Sequence, residues 1–269
     1  MRKQNDTHLP TLHAIPGQPI YRRAREKTKT MKPYYEHAGI TIYHGDCQEV
    51  VPGLGRFDLL LTDPPYGIGR SGQPETFTKN PKHKRKEHVD CGWDNARPDS
   101  EVFRLLLGAA EKSIIWGGNY FADMLPPTMG WLYWDKGQNG LSMSDGELAW
   151  TSEQRALRAF VCNRSALVGS QHPTEKPLRL FYWCINLAGE VQTILDPFAG
   201  SGTTGRAAKD LGRSAVLIER EERYCEIAAN RMQQEVMQFG EDARAGQGEC
   251  PGTACNSAMP KQAQLTLEI

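Results

Sequence analysis

The segment from 191 to 237 limits most strongly what this chain can fold into. "VQTILD" (191–196) reads as a strand, "PFAGSG" as a glycine turn, and "TTGRAAKDLG" (203–212) as a helix closed by Gly212. "SAVLIE" (214–219) then reads as a second strand and "EERYCEIAANRMQQEVM" (221–237) as a second helix. Strand, helix, strand, helix in that order calls for parallel strands joined by crossover helices, and so for an α/β, mostly parallel, doubly wound sheet. Upstream, "GITIYHGD" (39–46) and "FDLLLTD" (57–63) read as strands, the second nearly all apolar, as in a strand covered on both faces. "DSEVFRLLLGAAEK" (99–112) predicts a helix, and "SIIWGG" (113–118) and "GWLYWDKG" (130–137) predict strands. "GELAWTS" (146–152) and "ALRAFVCN" (156–163) suggest a hairpin or meander, and "KPLRLFYWCINLAG" (176–189) a helix with Pro177 at its first position.

These elements predict a folded domain over 34–238, between a flexible basic arm (1–33) and a flexible tail (239–269). A chain of 269 residues is long enough for one α/β domain, with or without insertions. The 32 basic and 32 acidic side chains cancel, so no global field announces a polyanionic partner. Locally, however, the first 33 residues carry eight Lys or Arg against two acids, and "KHKRKEH" (82–88) concentrates further cations. Such a run is usually a solvated face and only sometimes reads phosphate. No apolar stretch approaches a membrane span and no signal-peptide core is evident, so a cytoplasmic protein without membrane contact is expected. Seven scattered cysteines suit a reducing compartment, and Cys250 and Cys255 lack a second ligand pair, so no metal is expected.

Two constellations carry chemistry. In "ILDPFAGSGTT" (194–204), Gly200 and Gly202 let the backbone turn tightly and approach a ligand, while the following helix presents free N–H groups. Glu219 closes the next strand, where an acid can accept from both hydroxyls of a ribose. Asp196 stands where a pyrophosphate would otherwise lie, which disfavours a dinucleotide and favours a ligand bearing an ammonium and a sulfonium. In "LLLTDPPYG" (59–67), Asp63 ends an apolar strand, and Pro64 and Pro65 fix the backbone and remove two donors. The stretch therefore offers acceptors, Asp63 and the Pro64 carbonyl, beside the flat face of Tyr66, as a receptor for an exocyclic amino group would. A proline-stiffened turn without a ligand stands as the plain alternative.

Together, "DPPYG" and "DPFAGSGTT" resemble the catalytic and cofactor motifs of S-adenosylmethionine-dependent DNA amino-methyltransferases, which modify adenine N6 or cytosine N4. The catalytic motif comes first, then a variable polar region, then "HPTEKP" (172–177), then the cofactor turn. That circularly permuted order resembles the β class, and "IIWGGNYF" (114–121), "WLYWDKG" (131–137) and "ELAWTS" (147–152) are similar to its small phage and prophage members.

The resemblance implies a Rossmann-like methyltransferase fold with S-adenosylmethionine as cofactor and site-specific methylation of a flipped-out base in duplex DNA, in a bacterial or phage-infected cell, as in restriction-modification. It implies Asp63, Pro64, Pro65 and Tyr66 as catalytic. It implies a cofactor site of Asp46, His172, Thr174, Lys176, Asp196, Phe198, Gly200, Ser201, Gly202, Thr203 and Glu219. Asp before Pro-Pro-Tyr is the adenine form in most of the family, with cytosine N4 as the alternative. RNA or a protein glutamine as substrate, or a DNA-binding regulator without activity, fit less well. Lys82, Lys84, Arg85, Lys86 and Trp93 are candidates for DNA contact, and 68–100 and about 137–170 for target recognition. A homodimer is compatible with the resemblance. "QLTLEI" (264–269) faintly resembles the peptide by which bacterial proteins bind the sliding clamp, through Gln264–Leu267.

Overall fold

A computed structural model describes residues 31–69, 94–137, 144–163 and 176–233. A nine-stranded sheet organises them, in the order β1-β2-β9-β8-β3-β4-β6-β5-β7. The central strands β2 (Ile40–His44), β9 (Ser214–Glu219), β8 (Thr193–Asp196), β3 (Phe57–Thr62) and β4 (Ala110–Trp116) are all parallel. Outside them, β1 (Tyr35–His37) runs antiparallel to β2. On the other side β6 (Gly146–Thr151) runs antiparallel to both β4 and β5 (Trp131–Asp135), and β7 (Arg158–Val161) runs parallel to β5.

Helices cover both faces. Leu59 and Leu61 point into one core with buried residues of α3 (Leu178–Leu187), α4 (Thr203–Asp210) and α5 (Glu222–Gln233). Leu60, between them, points into the other core with α1 (Cys47–Val50) and α2 (Ser100–Gly108). All three leucines are 0% exposed, which accounts for the unbroken apolar run where a half-solvated strand would alternate. β8 and β3 are neighbours although β3 connects onward to β4 and β8 to β9 on opposite sides. The sheet therefore reverses its winding between them, and the carboxyl ends of these two strands open a crevice.

The sheet departs from the sequence reading in four places. Residues 146–163 do not form a hairpin, because β5 lies between β6 and β7 and pairs with both. The helix read over 99–112 ends at Gly108, because Ala110 joins the ladder opposite Phe57 and the Phe57 N–H donates to the Ala109 carbonyl at 2.9 Å. Pro177 is the N-cap of α3 rather than its first helical residue, with an extended ψ of 133°. The short edge strand β1 carried no period long enough to read.

Candidate active site

Acids finish the parallel strands on one edge of the sheet. Glu219 ends β9 opposite His44, Asp46 follows β2 two residues on, Asp196 ends β8, and Asp63 follows β3. The four therefore stand in the strand order β2-β9-β8-β3 at the carboxyl edge. A cavity of about 540 Å³ lies over this edge, lined by all four acids and by Pro64, Pro65, Tyr66, Phe198, Gly200, Ser201 and Thr203.

Each acid is held by local backbone chemistry. Asp46 caps α1, accepting from the Gln48 N–H at 2.9 Å. Glu219 accepts from the N–H groups of Gly200 and Glu221 at 2.8 and 2.9 Å, so it fixes the glycine turn as well as facing the cavity. Burial raises its carboxyl above the usual range, against those hydrogen bonds. Asp196 accepts from Thr62 Oγ1 at 2.7 Å, from the Phe198 N–H at 3.2 Å and from Thr204 Oγ1. Its burial is nearly complete and pushes the carboxyl up to about 6, opposed by these donors.

Gly200 and Gly202 both have positive φ, but they face different ways. Gly200 lines the cavity; Gly202 does not, and a Cβ on it would come within 2.8 Å of the Ala228 Cβ on α5. Gly202 thus lets two helices approach closely, a packing role that the glycine spacing did not separate from ligand contact.

Around Asp63 the structure adds Glu147 and Lys136, which sequence reasoning missed, and it places Lys176, expected at the cofactor, against Asp63. Tyr66 Oη donates to Asp63 Oδ1 at 2.6 Å, and Lys176 Nζ donates to Asp63 Oδ2 and, at 3.1 Å, to Tyr66 Oη. Lys176 Nζ also stands 3.2 Å from Glu147 Oε2, and Lys136 Nζ stands 2.7 Å from Glu147 Oε1. The two lysine side chains are only 4% and 5% exposed. Carboxylates and cations therefore alternate along a buried row: Asp63, Lys176, Glu147, Lys136. Burial alone disfavours the charged form of such groups, and pairing opposes that cost. Burial raises Glu147, but Lys176 and Lys136 outweigh it and bring the carboxyl down to about 2. Burial would lower Lys176, but Asp63 and Glu147 hold it above its ordinary value, as an ammonium. Desolvation raises Asp63 despite Lys176, and it raises Tyr66 well above the usual phenol range, so Tyr66 remains a donor.

Tyr66 is positioned by Gly117, Tyr120 and Phe121. Gly117 has φ +70°, and a Cβ there would lie 2.5 Å from Tyr66 Cζ, so only glycine fits. The ring stacks on Tyr120 with centroids 4.6 Å apart and planes 13° from parallel, and meets Phe121 edge-on at 6.1 Å. Asp94 accepts from the Gly67 N–H at 2.9 Å and steadies the chain after Tyr66. "IIWGGNYF" carried the signal for Gly117, as a glycine pair directly after a buried strand.

Residues 133–230 match a family model described as DNA methylase, the N6/N4 methyltransferases. Type II methyltransferase M.ScaI of Streptomyces caespitosus is 25% identical, with 76% of this chain and 84% of that one covered. Over these stretches the chain is similar to DNA amino-methyltransferases. A second relative, type II methyltransferase M2.DpnII of Streptococcus pneumoniae, is 47% identical over 66 residues, 24% of this chain and 25% of that one. Among solved structures, the PvuII DNA methyltransferase, described as cytosine-N4-specific, superposes with a TM-score of 0.53 at 15% identity, covering 81% of this chain and 94% of that one. That likeness shows the shared Rossmann-like methyltransferase fold.

Several expected residues lie outside the described parts: His172, Thr174, Lys82, Lys84, Arg85, Lys86, Trp93 and Gln264–Leu267, with both terminal segments except residues 31–33. Among the described residues no group of His, Cys, Asp and Glu could hold a metal ion, and no helix is long and apolar enough to cross a membrane.

Proposed function

We propose that the protein transfers a methyl group from S-adenosylmethionine to the N6 amino group of an adenine flipped out of duplex DNA, at a specific sequence. One observation carries this reading: the Asp63–Tyr66 acceptor cluster opens into the same cavity as the glycine turn and Glu219. A methyl donor and an amino acceptor bound there would share one enclosure, which supplies the proximity that direct transfer needs.

The residues fit the cofactor. Glu219 keeps lone pairs for two hydroxyls of a ribose, Phe198 offers an apolar surface, and Asp46 and Asp196 offer negative charge at the cavity wall. When bound, S-adenosylmethionine supplies an electrophilic methyl on a sulfonium. Asp63 and the Pro64 carbonyl accept the two N–H bonds of the target amine. That draws its lone pair out of conjugation with the ring and aims it into the cavity. A C–N bond would form as the methyl–sulfur bond breaks, and the proton lost by the amine, acidic only once the nitrogen gains charge, would pass to Asp63 and from there to solvent. Asp63 needs its ionised form to accept, not a high basicity. Extrusion of the base costs a few kcal/mol, partly offset by contact with aromatic side chains of the pocket.

Adenine is favoured because Asp, where the cytosine-N4 members usually carry Ser, precedes Pro-Pro-Tyr. The test uses labelled S-adenosylmethionine and unmethylated bacterial DNA. Asp63→Ala is expected to lose transfer while its affinity for S-adenosylmethionine stays within about threefold of wild type. Loss of cofactor binding by a folded Asp63→Ala protein contradicts the assignment of Asp63 to the amine.

A further inference from the structure

Asp63 is paired with an ammonium group of the protein itself. Lys176 Nζ donates to Oδ2 while Tyr66 holds Oδ1, so the acceptor assigned to the target amine is already in use. An ammonium that stayed there would oppose transfer. It competes for the lone pairs that must receive the amine's N–H bonds, and its charge opposes the positive charge that grows on the nitrogen.

A second seat for this ammonium is built beside the first. Glu147 Oε2 is buried and has no hydrogen bond among the described residues, although Lys176 Nζ is only 3.2 Å away. Lys176 is thus already ion-paired with this oxygen but not squarely hydrogen-bonded to it, so the contact can tighten when the ammonium leaves Asp63. The other oxygen, Oε1, is anchored by Lys136 at 2.7 Å, so Glu147 is held in place whichever way Lys176 turns. Aromatic rings line the path of the ammonium: Lys176 Nζ lies 5.6 Å from the Tyr66 ring centroid and 5.8 Å from that of Trp116. A short side-chain rotation therefore moves the charge from one carboxylate to another without entering water.

We propose that Lys176 is an internal stand-in for the target amine, seated on Asp63 in the empty enzyme and displaced onto Glu147 Oε2 when the flipped base enters. Lys176 favours the ionised form of Asp63 and keeps the pocket paired between turnovers; Glu147 is the positioning residue that receives it. This inference rests on the amino-methyltransferase reading above.

The test is a double-mutant cycle with Glu147→Gln, Lys176→Met and the pair, read as single-turnover methyl transfer to unmethylated DNA across a pH series and compared at the plateau of each profile. Thermal melting and S-adenosylmethionine affinity check that each variant is folded and binds cofactor. Glu147→Gln in the wild-type background should slow transfer about tenfold, because the neutral amide no longer draws Lys176 away from Asp63. In the Lys176→Met background the same substitution should change the rate less than about twofold, because no ammonium is left to displace. Equal penalties in both backgrounds overturn the proposal.

An activity-independent reading comes from protein labelled with ¹⁵N in lysine side chains, with the Lys176 Nζ signal identified by its absence in Lys176→Met. That signal should shift when unmethylated duplex DNA and S-adenosylhomocysteine are added together, and hardly at all with S-adenosylhomocysteine alone. A stationary signal in a wild-type enzyme that methylates DNA overturns the displacement and leaves the methyltransferase reading standing. A wild-type enzyme that transfers no methyl group to DNA removes both.

Discussion

Thr62 Oγ1 donates to Asp196 Oδ1 at 2.7 Å, joining the end of the strand that delivers Asp63 to the end of the strand that delivers the glycine turn. The residues are 134 positions apart in sequence and both are buried. Through this bond the amine-binding and cofactor-binding halves of the cavity share one rigid seam, where the winding of the sheet reverses.

Thr62→Val keeps the shape and removes this donor. It leaves a lone pair of a buried carboxylate unpaired, so the protein should lose about 1–3 kcal/mol of stability. Chemical denaturation of wild type and variant checks it, and a change near zero would show that the seam is held by Thr204 and the Phe198 N–H alone.

Asp196 should leave a signature in the pH dependence of stability. Its folded carboxyl lies at about 6, above the ordinary value of 3.8, so between these values the folded protein binds more protons than the unfolded chain. Stability from this group is therefore full at low pH and falls as pH rises through that window, by roughly 3 kcal/mol. Asp196→Asn cannot ionise. The difference in stability between the two proteins should shift in favour of the variant as pH rises from about 4 to about 6, followed by denaturant titration at each pH.

Gly117→Ala places a methyl group against the Tyr66 ring at a φ of +70°. The ring must move, and Asp63 loses its 2.6 Å phenol donor and the aromatic wall of the pocket. Methyl transfer should fall by about a hundredfold or more, with cofactor affinity nearly unchanged, because the reacting geometry is displaced by about an ångström. Transfer kinetics beside a cofactor titration separate the two.

Lys176→Met takes the nearest cation from Asp63, leaving Glu147 and the Tyr66 phenol around a carboxyl that desolvation already raises. Its folded value should climb further, so the acid limb of the pH–rate profile moves to higher pH, with activity recovered in alkali. Removing one partner of a buried ion pair should also cost about 3–5 kcal/mol of stability near neutrality. An unmoved acid limb would show that Lys176 does not set the charge of Asp63.

The central sheet was legible because its strands carry two independent signals, apolar runs in the middle and an acid or glycine at the carboxyl end. β9 and the start of α4 coincide with their sequence segments because positive-φ glycines, Gly212 and Gly202, stand just ahead of them. Beyond β4 the same logic failed: β6 and β7 are separated by β5, and nothing local in residues 146–163 encodes a pairing with a strand earlier in the chain. At the site, Asp63, Tyr66, Asp196 and Glu219 were legible because each closes or follows a strand. Glu147 was not, since one acid at the start of a half-buried strand looks like a solvated position. Only the approach of Lys136 and Lys176, from β5's end and α3's start, gives it a role. Gly117 was quoted within a motif but gained its meaning only from the Tyr66 ring packed against it.

The most direct test of the account is to incubate the protein with methyl-labelled S-adenosylmethionine and unmethylated bacterial DNA, then hydrolyse the DNA to nucleosides. The account predicts label in N6-methyl-2′-deoxyadenosine from the wild-type protein and none from Asp63→Ala. Label in N4-methyl-2′-deoxycytidine would contradict the assignment to adenine. Unlabelled DNA, or equal labelling by Asp63→Ala, would contradict the account of the Asp63–Tyr66 site as the place where the amine is methylated.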